Sequence, residues 1–188
     1  MRDVSLVTSM RLLGTAWLLL TLAGVALVAQ GQAPPPEQKV FSDSVQHPVS
    51  LGPDVLRALL ASHPAKETFD ILDDSEKRDP SQFFQAAEVH LNTATADEVD
   101  LIVMGQGRMK GAEGRWFWVV RSARKNPDVV LFSGGDSLEV TDGKTHGYKD
   151  IRVVWMSSLE TETTIYQFDG NVYQTRSANN FKILTTNP

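Results

Sequence analysis

The stretch from Gly147 to Tyr173, GYKDIRVVWMSSLETETTIYQFDGNVY, constrains the fold most, because it has the pattern of three successive strands. Its segments Ile151–Met156 and Thr163–Phe168 are rich in the β-branched and aromatic residues that favour strands. Asp169-Gly170, which follows the second segment, is a strong signal for a tight hairpin turn. The stretch therefore predicts an antiparallel β-meander.

Short strand-like segments also precede the meander, and helical patterns are rare. Gly52–Ser62 is the clearest helix, because Pro53 suits a first helical position and apolar residues then recur along one face. The other predicted strands are Glu88–Leu91, Val99–Met104, Trp116–Arg121, Val129–Phe132, Leu138–Val140 and Val172–Gln174. Since strands follow one another without helices between them, the sequence predicts an α+β domain, mostly antiparallel β-sheet with a short N-terminal helix.

A weaker copy of the meander pattern lies fifty positions earlier, in Asp97–Arg121. At this offset Asp100 matches Asp150, and the two tryptophans of the earlier segment fall on aromatic residues of the later one. The match is compatible with an internal duplication.

The first thirty-odd residues have the order of a secretory signal. Arg2 and Arg11 give a basic start, and Leu12–Ala29 is a run without charge. Small residues and prolines follow, as at a cleavage site. The sequence predicts a signal peptide over residues 1–31, with an uncleaved membrane anchor as the alternative. We expect a flexible linker over residues 32–50, and one β-rich globular domain over 51–188.

Composition excludes several functions. The chain of 188 residues has no cysteine, so disulfides, thiolate metal sites and cysteine nucleophiles are absent. Its formal net charge is −5, which argues against general binding to nucleic acids or anionic membranes. We expect contact with a membrane only through an uncleaved N-terminal segment. The motifs of serine hydrolases, zinc proteases and nucleotide-binding loops are also missing, and no catalytic residue, metal site or cofactor is predicted.

Acidic residues and histidines offer the few candidates for chemistry. Asp100 and Asp150 stand at matching points of the two similar stretches, where carboxylates can bind a ligand or a hard cation. The alternative is that each carboxylate accepts hydrogen bonds from neighbouring groups at a turn. A hydrolase would have to combine these two residues with His90 and His146.

Aromatic residues form the second group of candidates. Trp116 and Trp118 alternate along one predicted strand, and Tyr166 and Phe168 alternate along another. An exposed aromatic row can bind sugars, peptides or a partner protein. Core packing is the alternative. Together, the predicted ligand contacts are Asp100, Asp150, Trp116, Trp118 and Tyr166.

The motifs GYKDI at Gly147–Ile151 and YQFDGNVY at Tyr166–Tyr173 resemble a type of uncharacterised exported bacterial protein. In that type, a GYxDI strand precedes a YxFDGxxY hairpin. The segment is also loosely similar to FG-GAP-type repeats of β-propellers, but it lacks their regular calcium-loop aspartates, and two units cannot close a propeller. The resemblance covers about half of the chain beyond the signal segment and implies a fold and export, not an activity.

These observations favour a non-enzymatic binding module of the bacterial envelope, periplasmic or secreted, with a protein or glycan partner. A carboxylate- and histidine-dependent hydrolase is one alternative. An inhibitor of a secreted enzyme is another, and it would need a protruding loop at Gly105–Gly114 or Ser157–Thr163.

Overall fold

The described part of the chain folds into two antiparallel sheets and two short α-helices. A computed structural model describes residues 37–95, 98–112 and 114–181, and the backbone alone at 182. The predicted signal segment, residues 1–31, lies outside the described residues. In the described part of the chain, no helix has the length and apolar character needed to cross a membrane.

The strands form a four-stranded sheet and a five-stranded sheet, in the orders β2-β3-β4-β5 and β1-β6-β7-β8-β9. The helices are α1 (Pro53–Ala61) and α2 (Ala65–Asp70). The strands are β1 (Val40–Phe41), β2 (Phe84–Val89), β3 (Asp100–Gly105), β4 (Arg115–Arg121), β5 (Asp128–Gly135), β6 (Ser137–Thr145), β7 (Tyr148–Met156), β8 (Glu160–Phe168) and β9 (Tyr173–Lys182). The predicted fold class, mostly antiparallel β with few short helices, is confirmed.

The four-stranded sheet is covered on both faces, which explains why β3 is buried along its whole length. One face packs against the five-stranded sheet, through residues such as Ile102, Phe117 and Ile151. The other face packs under α1, α2 and the neighbouring turns, through residues such as Leu59 and Trp118. The hydrophobic core is therefore divided into two layers by one sheet.

The β8–β9 hairpin confirms the predicted turn. The Asp169 carboxylate accepts hydrogen bonds from the backbone N–H groups of Asn171 and Val172, at 2.8 and 2.9 Å. Gly170 has φ of +108°, a conformation that glycine adopts without steric cost. The same donors hold the pKa of Asp169 below its ordinary value.

Residues 37–50 differ from the linker predicted over residues 32–50, of which residues 32–36 lie outside the described residues. Val40–Phe41 pairs with β6, and Phe41 has no exposed surface. Val49 forms a further bridge to Ala86 of β2. The apolar residues of this segment are too few to give a periodic pattern, yet each occupies a site in the core or at a sheet edge. The segment is therefore part of the domain from Val40 onward.

The strand register does not follow the fifty-residue offset. Val103 pairs with Trp118, whereas Val153 pairs with Thr164 and not with Phe168. The partner of Val153 therefore lies four residues before the position that the fifty-residue offset requires. The internal duplication stays a prediction.

Candidate functional site

Asp100 has a structural setting at the start of β3. Its side chain has no exposed surface and accepts hydrogen bonds from the backbone N–H groups of Leu91 and Ser122, at 3.2 and 3.1 Å. These bonds join the β2–β3 connection to the end of β4. Burial raises the pKa of Asp100, while the backbone donors oppose the shift. A residue without solvent access cannot contact a ligand from solution in this conformation.

Asp150 is also buried, and its two carboxylate oxygens are both used inside the five-stranded sheet. Thr145 Oγ1 and Gln167 Nε2 donate to them at 2.8 and 2.9 Å. Asp100 and Asp150 therefore show the arrangement expected under the alternative of local hydrogen bonding.

The two candidate histidines lie apart from these carboxylates. His90 is exposed and its Nδ1 is 3.8 Å from Glu37. His146 is exposed and its Nδ1 hydrogen-bonds to the carbonyl oxygen of Phe168 at 2.8 Å. In the described part of the chain, no hydrogen bond or ion pair joins any two of the four residues proposed for a hydrolase. Within the same residues, no group of three acidic or histidine side chains could hold a metal ion.

The predicted aromatic row is divided between the two core layers. Trp118 is fully buried under the helices and packs edge-on against Trp116, with ring centroids 6.2 Å apart. Tyr166 lies on the five-stranded sheet, where its hydroxyl is 3.0 Å from Ser133 Oγ. Trp116 and Tyr166 keep partial exposure, so these two remain available to a ligand.

Neither candidate loop protrudes along its full length. Residues 160–163 belong to β8, which leaves only a three-residue turn after β7. The Gly105–Gly114 loop turns inward at Met109, which is fully buried in a 3-10 turn, Gly107–Met109.

A cleft lies at the open end of the two sheets. Along β7, Ile151 and Val153 are buried between the sheets, but Trp155, on the same face, is only partly covered. The four-stranded sheet presents Gly134 here, where an added Cβ would have no neighbour closer than 3.8 Å, and a gap remains. We call this gap the tryptophan cleft. It has two adjoining parts of about 560 and 230 Å³, which share Gly134 and Trp155.

The larger part of the tryptophan cleft has polar walls. Its lining residues are Ser133, Gly134, Val153, Trp155, Glu160, Glu162, Thr164 and Tyr166. The smaller part is lined by Gly111, Ala112, Gly114, Arg115, Trp116, Gly134, Gly135 and Trp155. The cleft thus combines two indole rings with carboxylates and hydroxyl groups, which is the composition of a site that binds a polar ligand with apolar faces.

Two charged regions stand at different parts of the cleft. Arg115 lies in the smaller part, is largely buried, and pairs with Asp43 at 3.4 Å. Glu160 and Glu162 lie in the larger part and are half-buried. In the described part of the chain, neither carboxylate has a hydrogen bond or ion pair to another side chain. Among the described side chains, the larger part therefore presents negative charge without a paired cation.

Trp116 and Tyr166 are the only predicted ligand contacts that line the tryptophan cleft among the described residues. Trp155 and the β8 carboxylates were not predicted. A signal for them exists, because Glu160, Glu162, Thr164 and Tyr166 alternate along β8 and place polar groups on the face that its neighbours fill with apolar residues.

Comparison with known proteins gives no relative for this chain: no protein-family model, curated protein or solved structure matches it.

The raised pKa of Asp100 predicts a pH-dependent stability. A folded-state pKa above the ordinary value of 3.8 means that the unfolded chain ionises first as pH rises, so ionisation of Asp100 opposes folding. The Asp100→Asn variant lacks this cost. We expect its free energy of unfolding, relative to the wild type, to increase as pH rises above 3.8. Urea denaturation of both proteins across a pH series measures the difference, and a pH-independent difference would contradict the assignment.

Proposed function

We propose that the protein is a non-enzymatic binding module of the bacterial envelope that holds a glycan in the tryptophan cleft. The observation that carries the proposal is the open end of the two sheets, where Trp155 lies between the part of the cleft that contains Trp116 and the part that contains Glu160 and Glu162. Location in the envelope rests on the predicted signal segment, residues 1–31, and on the resemblance to exported bacterial proteins.

The chemistry of the cleft suits a sugar better than an apolar ligand. Sugar rings have C–H faces that pack on indole rings, and hydroxyl groups that bond to carboxylates and hydroxyls. The larger part supplies both kinds of group, with Trp155 next to Glu162 and Thr164. The absence of a side chain at Gly134 leaves space beside Trp116, where an added Cβ would have no neighbour closer than 3.8 Å, and this gives a flat ring room to enter.

A hydrolase has no comparable support. Asp100 and Asp150 are buried and use their oxygens to hold the local backbone and side chains. His90 and His146 contact other groups. Binding without turnover is therefore the function that the geometry favours.

The test is a titration of the purified protein with soluble hexasaccharides of different backbones, followed by tryptophan fluorescence and calorimetry. We expect at least one hexasaccharide to bind. Trp155→Ala is expected to weaken that binding by about 2 kcal/mol, roughly thirty-fold, as loss of a central aromatic contact does.

Phe181→Ala is the matched control. Phe181 pairs with Thr161 on the opposite face of the same sheet and is mostly exposed. Its loss should leave the affinity unchanged. Equal weakening by both variants, or no change with Trp155→Ala, would place the binding site elsewhere.

A further inference from the structure

The two unpaired carboxylates of the tryptophan cleft point to the charge of its ligand. Glu160 and Glu162 are two residues apart on β8, so their side chains project from the same face of the sheet. Successive residues on one face of a strand are about 7 Å apart. A single ammonium group placed between such carboxylates can reach both, because a charge-assisted N–H···O bond is about 2.8 Å long.

The neighbours of the two carboxylates make Glu162 the stronger contact. Trp155 stands directly opposite Glu162 on β7, and Asn180 stands opposite on β9. Glu160 instead stands opposite Lys182 in the strand register. Arg115 lies in the smaller part of the cleft and is paired with Asp43. Among the described residues, no basic side chain forms an ion pair with the carboxylate of Glu162.

An indole ring beside the carboxylate adds a second contact for a cation. The face of an aromatic ring attracts an ammonium group, and tryptophan does so best. A neutral sugar can donate hydroxyl hydrogen bonds to Glu162 but brings no positive charge, and a hydrogen bond between two charged groups is stronger than one from a neutral donor. A half-buried carboxylate beside an indole ring therefore favours a ligand that carries a positive charge.

We propose that the ligand of the tryptophan cleft is a saccharide with free amino groups, whose ammonium group lies between Glu160 and Glu162 and against Trp155. This inference rests on the proposed glycan-binding function and specifies its ligand class.

The test compares two hexasaccharides with the same backbone, the glucosamine hexamer and its fully N-acetylated counterpart, which lacks the charge. Both are titrated by calorimetry at slightly acid pH into the purified protein. We expect the glucosamine hexamer to bind at least about tenfold more tightly, as a charge-assisted bond exceeds a neutral one. Glu162→Gln is expected to reduce that preference by a similar factor, because the amide keeps the size of the side chain but removes its charge.

Asp74→Asn is the matched control, because it removes the same charge from an exposed position near the 3-10 turn Glu76–Arg78. It should leave both affinities unchanged. Thermal unfolding of each variant verifies that the fold is retained.

The outcomes separate this inference from the proposed function. Equal binding of both hexasaccharides, or an unchanged preference in Glu162→Gln, overturns the ligand class but leaves glycan binding in place. Binding of neither sugar, nor of the other hexasaccharides, overturns both. A lysine hexapeptide that binds as tightly as the glucosamine hexamer, with the same loss in Glu162→Gln, shows that the cleft takes cationic peptides and overturns the saccharide assignment.

Discussion

Replacement of Trp118 by alanine is expected to lower the free energy of unfolding by about 3–5 kcal/mol. Trp118 has no exposed surface and joins β4 to the layer under the helices. Its ring packs against Phe84 and Phe132, with centroids 5.6 and 5.4 Å apart. Alanine would leave a cavity between these aromatic residues, which rigid strands cannot close. Urea denaturation followed by circular dichroism measures the loss.

The Trp118→Phe variant distinguishes the effect of lost side-chain volume from the effect of removing the indole N–H. The indole N–H of Trp118 is the one buried side-chain nitrogen or oxygen of the described residues without a hydrogen-bond partner. Phenylalanine removes this unpaired donor, whose burial costs about 1–3 kcal/mol. We therefore expect Trp118→Phe to be much less destabilising than Trp118→Ala. Similar losses for both variants would contradict this explanation.

Replacement of Gly105 by alanine is expected to destabilise the fold by about 3 kcal/mol, at the upper end of the usual cost of overpacking. A Cβ at Gly105 would lie 1.9 Å from the backbone carbonyl oxygen of Met109. The obstacle is backbone, so a side-chain rotation cannot relieve it. The 3-10 turn Gly107–Met109 would have to move and expose Met109, which is fully buried. Thermal and urea unfolding of the variant measure the effect.

Gly134→Ala is the control for this change. Gly134 also lies in a strand of the four-stranded sheet, but its nearest neighbours would be 3.8 and 3.9 Å from an added Cβ. We expect a change within about 1 kcal/mol. If both variants were equally destabilised, loss of glycine itself and not the contact with Met109 would be responsible.

Local sequence patterns predicted the turns and helices whose ends are set by residues close in the sequence. The Asp169-Gly170 turn and the Pro53–Ala61 helix are confirmed, because their signals are a turn dipeptide and an apolar stripe. The strand predicted at Val172–Gln174 is longer in the structure, where β9 runs from Tyr173 to Lys182. An edge strand that is mostly exposed pairs through its backbone, so it needs no alternating pattern of apolar residues.

The candidate site could not be predicted from the sequence, because it depends on which strands pack together and on which residues they bury. The positions of Asp100 and Asp150 at strand entries were visible, but their burial depends on strands packed above them. The tryptophan cleft forms where β7 and β8 continue past the cover of the four-stranded sheet, so Trp155 and Glu162 become partners only in three dimensions.

The corner between β5 and β6 limits how far the walls of the tryptophan cleft can move. A single residue, Asp136, separates the two strands as the chain passes from one sheet to the other. Its backbone N–H donates to Val154 O at 2.8 Å, and its carboxylate accepts from Met156 N at 2.6 Å. The corner is thus fastened to β7 on both sides of Trp155. These bonds hold the walls of the cleft at a fixed spacing, so the entropy lost in the proposed binding would fall mainly on the ligand.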